Sequence, residues 1–183
     1  MIAPIEFPCL VSKQELEKMI ERVADKIDKS YPEGEDLVCI GVLKGAWIFH
    51  SDLVRALKRP VSVDFIRASS YGNAMESSGV VRIDKDIEVP IRGRHVLLVE
   101  DIVDTGRTLN FLKKRMENGG AKSVKIAALL DKKSRRVVEC EADFVGTEIE
   151  DKFVVGYGLD WAEKYRTLPG IYYVPPEIAE KAK

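Results

Sequence analysis

Three apolar stretches rich in branched residues restrict this chain to few folds: Leu37–Leu43 (LVCIGVL), 95–99 (HVLLV) and 124–130 (VKIAALL). Each has the length of a strand and places apolar side chains on both of its faces. A strand of that kind has to be covered from both sides. Helical patterns separate the stretches. Ser12-Lys13-Gln14-Glu15 has the form of a capping box, and Leu16, Ile20, Val23 and Ile27 follow at helical spacing, predicting a helix over 13–29. Further helices are predicted at 45–58 and 106–117, the second closed by Asn118-Gly119-Gly120. With another strand at 61–67, strand and helix alternate from 37 to 130. The expected fold is therefore α/β, a mainly parallel sheet flanked by helices on both faces.

The remainder is less regular. Residues 68–79 (ASSYGNAMESSG) have no periodicity and are expected to form a loop. Short strands or a hairpin arm are expected at 80–86 and 86–89, and short strands at 144–145, 153–156 and 171–174. Pro175-Pro176 begins a charged tail expected to be peripheral. A chain of 183 residues fits one domain, with a core at about 37–140 and a small unit from about 141–174 plus the N-terminus.

Composition excludes several classes. Lys and Arg number 29 against 30 Asp and Glu, which disfavours a globally basic nucleic-acid binder. Cys9, Cys39 and Cys140 are few, odd in number and far apart, which fits a reducing cytoplasm better than a disulfide scaffold. Charged residues interrupt every apolar run before it could span a bilayer, and the first residues lack the pattern of a secretory leader. His50 and His95 stand without a Cys/His cluster, so a tetrahedral zinc site is not expected.

Chemistry concentrates at 95–109, HVLLVEDIVDTGRTL. An apolar strand delivers Glu100, Asp101 and Asp104 at its carboxyl end, where ligands sit in open α/β sheets. The turn Asp104-Thr105-Gly106-Arg107-Thr108 then opens a helix, and a helix start with free N–H groups, a glycine and two hydroxyls suits a phosphate. The neighbouring carboxylates suit sugar hydroxyls or a divalent cation. A phosphorylated sugar satisfies both halves. Plain helix capping by Asp104 and Thr105, with solvated acids, is the bland alternative. A receiver- or phosphatase-like magnesium site would need further acids and a lysine on other strand ends, which the sequence does not spell out.

This segment resembles the phosphoribosyl-diphosphate signature of the type I phosphoribosyltransferases. Four further segments, Leu43-Lys44-Gly45-Ala46, Ser69-Ser70-Tyr71-Gly72, Leu130-Asp131-Lys132-Lys133 and the DKFVVGYGLD run from Asp151 to Asp160, are similar in order to those of hypoxanthine-guanine phosphoribosyltransferases. The resemblance spans about residues 5–174. It implies a type I phosphoribosyltransferase-like sheet with a small C-terminal hood. It also implies a purine-salvage transfer of ribose 5-phosphate to N9 of a 6-oxopurine, forming IMP or GMP and pyrophosphate.

Residue roles follow from the resemblance alone. The 5′-phosphate would lie on Asp104, Thr105, Gly106, Arg107 and Thr108. Glu100 and Asp101 would hold the ribose hydroxyls, directly or through Mg2+, with Asp160 as a further metal ligand. Asp104 would be the catalytic acid or base at purine N7. Lys132 would donate to the 6-oxo group, with Lys133 as the fallback. Phe153 would stack on the base and the Val154 backbone would meet its edge. Lys44, Gly45 and Arg166 would take the pyrophosphate, at a loop that carries a non-proline cis peptide in the family. Ser70 and Tyr71 would tip a closing lid, with Gly72 and Gly79 allowing its motion and Arg67 at its base. Trp161-Ala162, Thr147 and Glu150 depart from the family's usual residues and bear on base preference. The resemblance further implies a homodimer or homotetramer, while composition points to a cytoplasmic protein that binds neither nucleic acid nor membrane. Other acceptor bases, and a sensor that binds RNA or DNA through the same site, are the alternatives.

Overall fold

The computed structural model describes residues 7–70 and 81–179. In chain order the elements are β1 (Cys9–Val11), α1 (Lys13–Ser30), β2 (Leu37–Leu43), α2 (Trp47–Ala56), β3 (Val61–Ser70), β4 (Val81–Lys85), β5 (His95–Val103), α3 (Arg107–Asn118), β6 (Ser123–Asp131), β7 (Phe144–Glu148), β8 (Val154–Val155), β9 (Ile171–Tyr173) and α4 (Pro176–Ala179). A six-stranded sheet has the order β4-β3-β2-β5-β6-β7, and β1, β9 and β8 form a separate small sheet. In the large sheet β4 alone runs antiparallel, against β3; the other pairings are parallel.

Strand periodicity splits the core in two. Leu37, Cys39, Leu97, Val99, Ala127 and Leu129 point to the face covered by α1 and α2. Val38, Ile40, Val96, Leu98, Ile126 and Ala128 point to the face covered by α3. A fully buried Leu or Ile here stabilises the fold by roughly 1.5–3 kcal/mol. The Ser12–Glu15 capping box at the start of α1 forms as expected.

The expected boundaries shift where partners persist. β5 continues beyond 99 because β6 still pairs with it, Glu100 opposite Ala128 and Val103 opposite Asp131. β3 runs to Ser70, against Val81 of β4, so the first residues of the expected 68–79 loop are strand. Segment 86–89 is not a strand: the Asp64 carboxylate accepts from the Glu88 and Val89 N–H groups at 2.6 and 2.8 Å, diverting them from a ladder. β7, expected within the small C-terminal unit, is instead the edge strand of the large sheet. Its Phe144 belongs to the cluster under α1. β1 was not anticipated; it pairs with β9, far away in sequence. Four residues of the expected tail form α4.

This topology opens one crevice. From β2 the chain passes through α2 to β3 on one side; it then returns across β2 to enter β5 on the other. Order reverses between β2 and β5, the place where open α/β sheets bind ligands. Pairing between the two strands ends at Gly41 and Val99, while both chains continue toward the crevice.

Candidate active site

A cavity of about 250 Å³ lies at that reversal, with Glu100, Asp101, Asp104, Thr105, Gly106 and Thr108 in its wall. A larger apolar groove of about 730 Å³ lies elsewhere, between 87–91 and α3, and contains none of these acids. The helix α3 starts from Gly106 at φ 81°, a left-handed conformation. A Cβ there would come within 3.0 Å of both the Arg136 Cδ and the Cys140 Cβ. The cap residue has no side chain to cover this helix start, and a helix N-terminus favours an anion.

Glu100 and Asp101 are enclosed by the carboxyl ends of the strands. Burial and the neighbouring Asp101 push the Glu100 carboxyl well above its usual range. Burial likewise pushes Asp101 up, while hydrogen bonding and the Arg166 charge oppose the rise. Ile102 N–H donates to Asp101 at 2.7 Å. Two crowded, enclosed carboxyls form a hard oxygen donor set that suits a divalent cation or sugar hydroxyls. Among the described residues no group of three or more His, Cys, Asp or Glu is arranged to hold a metal ion. Further ligands of such an ion would have to be substrate or water oxygens.

Asp160, expected as a metal ligand, is not brought into such a group. Its carboxylate pairs with Arg166 Nη2 at 2.9 Å and accepts from Glu163 N–H at 2.8 Å. Arg166 also donates to the Gly158 carbonyl at 2.8 Å, and its Nε is buried without a partner. Lys44 Nζ pairs with Glu163 at 2.9 Å. The non-proline cis peptide lies between Leu43 and Lys44, one bond before the Lys44-Gly45 step. Gly45 packs on Asp101 so closely that a Cβ would lie 1.6 Å from the Asp101 Oδ2.

Asp104 follows β5, half-exposed, with Arg135 at 3.2 Å and its carbonyl bound by Arg136 at 2.8 Å. Arg136 also pairs with the buried Asp131. Lys132 is buried, its N–H donating to the Val103 carbonyl at 2.9 Å and its Nζ 3.5 Å from Asp151. The fallback Lys133 is exposed and pairs with Glu148. Phe153 is 43% exposed, edge-on to Trp161, and Val154 is buried in β8. Phe153 thus presents an open face where a core aromatic would be covered. Ser70 ends β3, while Tyr71, Gly72 and Gly79 lie outside the described residues. Arg67, expected at the base of a lid, lies 3.8 Å from Asp84.

Arg135, Asp151, Glu163, Tyr157 and Asp52 were not singled out by sequence. Arg135 lies between Asp104 and Asp151, at 3.2 and 3.7 Å. These residues gain importance from their partners, which spacing along the chain does not reveal. The glycine at 158 was the available signal: a Cβ there would stand 2.0 Å from the Gly45 carbonyl oxygen.

Comparison with known proteins gives a consistent result. The family model described as phosphoribosyl transferase domain matches residues 10–162. Hypoxanthine-guanine phosphoribosyltransferase of Aquifex aeolicus is 47% identical over 90% of this chain and 93% of its own length. The Bacillus subtilis protein of the same name is 44% identical over 93% and 94%. Among solved structures, a Bacillus anthracis hypoxanthine-guanine phosphoribosyltransferase superimposes with TM-score 0.89 at 47% identity, over 93% of this chain and 100% of the other. A Trypanosoma cruzi hypoxanthine phosphoribosyl transferase gives 0.90 at 41% identity, over 97% of each chain. No helix among the described residues is long and apolar enough to cross a membrane.

Proposed function

The chain belongs to the phosphoribosyl transferase domain family, and we propose that it is a purine-salvage enzyme that transfers ribose 5-phosphate from phosphoribosyl diphosphate to N9 of hypoxanthine or guanine. The observation that carries this is the wall of the cavity at the carboxyl end of β5, where the acid pair Glu100 and Asp101 lies beside the 104–108 turn. Lys132 is buried next to that strand end, its N–H donating to the Val103 carbonyl.

In the reaction the N9 electron pair forms a bond to the anomeric carbon. The bond from that carbon to the pyrophosphate oxygen breaks, and its electron pair leaves with pyrophosphate. The N7 proton passes to the Asp104 carboxylate. Positive charge builds on the sugar as in glycoside hydrolysis. Backbone N–H groups of 104–108 and the hydroxyls of Thr105 and Thr108 bind the 5′-phosphate. Glu100 and Asp101 orient the ribose hydroxyls and would hold Mg2+. The ion, when bound, supplies charge neutralisation for the diphosphate. Lys44, Gly45 and Arg166 receive the departing pyrophosphate.

Lys132 donates to O6. An ammonium facing adenine's amino group would leave a donor against a donor, which rejects adenine strongly. Phe153 stacks on the ring and the Val154 backbone meets its edge. Ser70 and Tyr71 contribute to excluding water. The enzyme acts in the cytoplasm as a homodimer or homotetramer. These roles are supported by the cavity, the burial of Lys132 and the identity with named relatives.

Turnover of phosphoribosyl diphosphate and Mg2+ with hypoxanthine, guanine, xanthine and adenine, each alone, tests the assignment. A nucleotide from a 6-oxopurine, lost in Asp104→Ala and with chelator, is expected. Binding of phosphoribosyl diphosphate without product from any base would overturn it in favour of a sensor.

A further inference from the structure

Tyr157 has an unusual backbone for an aromatic residue, with φ 51° in the left-handed region. Its surroundings hold it there. Tyr157 is 7% exposed, and its backbone N–H donates to the Leu168 carbonyl at 2.9 Å. The hydroxyl donates to the Asp52 carboxylate at 2.5 Å. Burial, together with Asp52, pushes the phenol well above its usual range, so it remains a donor. Asp52 lies on α2, which begins two residues after Gly45. A helix is stiff, so a tie to Asp52 fixes Tyr157 relative to the loop that precedes the helix.

Contacts lead onward from Tyr157 into the site. The next residue, Gly158 at φ 104°, meets the Gly45 carbonyl backbone to backbone. Both polar groups of Gly158 are taken by Arg166, its N–H donating to the Arg166 carbonyl at 2.9 Å and its carbonyl accepting from Nη1 at 2.8 Å. Gly45 in turn seats Asp101. Beside the Tyr157–Asp52 pair lies a cavity of about 190 Å³ bounded by Leu16, Ile48 and Leu168. A ring freed from Asp52 has room to move.

We propose that the Tyr157 hydroxyl and the Asp52 carboxylate latch the 156–158 turn onto the Lys44 and Gly45 loop, making Tyr157 a positioning residue for the pyrophosphate end of the site. This rests on the role given above to Lys44, Gly45 and Arg166. The latch touches neither substrate. It sets the distance between the two chain segments that receive the diphosphate.

Tyr157→Phe keeps the ring and removes the bond. Steady-state kinetics should show KM for phosphoribosyl diphosphate raised about tenfold, the size of one buried bond to a charged group. KM for the 6-oxopurine should stay within about twofold of wild type, since Lys132 and Phe153 are untouched. Asp52→Asn keeps an oxygen that accepts from the hydroxyl and should retain most of the wild-type affinity. The double variant should be no worse than Tyr157→Phe. An unchanged KM for phosphoribosyl diphosphate would overturn the proposal. So would an equal rise in both KM values, which signals general loosening. Calorimetric binding of phosphoribosyl diphosphate separates the two claims. If the wild type binds it yet turns over no base, the purine assignment fails, and the latch is judged from the dissociation constants of the same variants. If the wild type does not bind it, both fail.

Discussion

The two ends of the same parallel strands treat charge in opposite ways. At the amino end, His95, the first residue of β5, is buried with both ring nitrogens partnered, Nε2 to Glu35 and Nδ1 to Ser123, each at 2.6 Å. Lys122 completes the Glu35 carboxylate at 2.6 Å, and Lys125 lies 4.6 Å from the Tyr31 ring centroid. At the carboxyl end, Glu100 and Asp101 crowd one another, and the Arg166 Nε is buried without a partner. Both ends use buried polar groups. The amino end pairs its charges with one another, although the Tyr31 hydroxyl is buried there without a partner; the carboxyl end sets two like charges side by side, which a ligand can complete. Burying unpaired charge costs stability, so an incomplete cluster has to be held open by the rest of the fold.

Substitutions at the two ends should separate cleanly. Gly45→Ala forces a Cβ into the Asp101 carboxylate, and kcat/KM should fall by about 100-fold or more, the penalty of an ångström-scale displacement. Lys132→Ala should lower kcat/KM for hypoxanthine by about 10- to 100-fold, the loss of a charged hydrogen bond, and narrow the preference over adenine. At the opposite end, His95→Ala should cost about 2 kcal/mol of unfolding free energy in urea denaturation, with both KM values unchanged. A change in KM there would break the division between the ends. The smallest effect belongs to Arg135→Ala: its pairs with Asp104 and Asp151 are exposed, so kcat should fall by no more than about fivefold.

Much of this division was legible in the sequence, and the physical reasons are specific. The doubly covered strands declared themselves because apolar residues must alternate between two helical layers. Glu100, Asp101 and the Asp104–Thr108 turn stood out because three acids at the end of an apolar strand have no packing role. The structure buries His50 against the Cys39 carbonyl and places His95 at the amino end of the sheet, against Glu35. The pairing of β1 with β9 was not legible, because three-residue strands carry no period and gain their order from a distant partner. Nor was the engagement of Asp160 with Arg166, or that of Asp151 with Lys132 and Arg135. Spacing names an acid; only the folded chain names its partner.

The carboxyl-end account is tested most directly by melting curves of Glu100→Gln against wild type, alone and with phosphoribosyl diphosphate and Mg2+. A glutamate whose pKa is raised in the folded state contributes stability that is lost as pH rises through that raised value. Ligand-free wild type should therefore gain stability as pH falls from Glu100's raised value toward its ordinary value of 4.5, and Glu100→Gln should remove Glu100's share of that dependence. At neutral pH the ligand-free variant should melt above wild type, and it should lose most of the ligand-induced rise. A ligand-free Glu100→Gln that melts below wild type while keeping the full ligand-induced rise would contradict the account, for it would make Glu100 a structural residue like those at the other end.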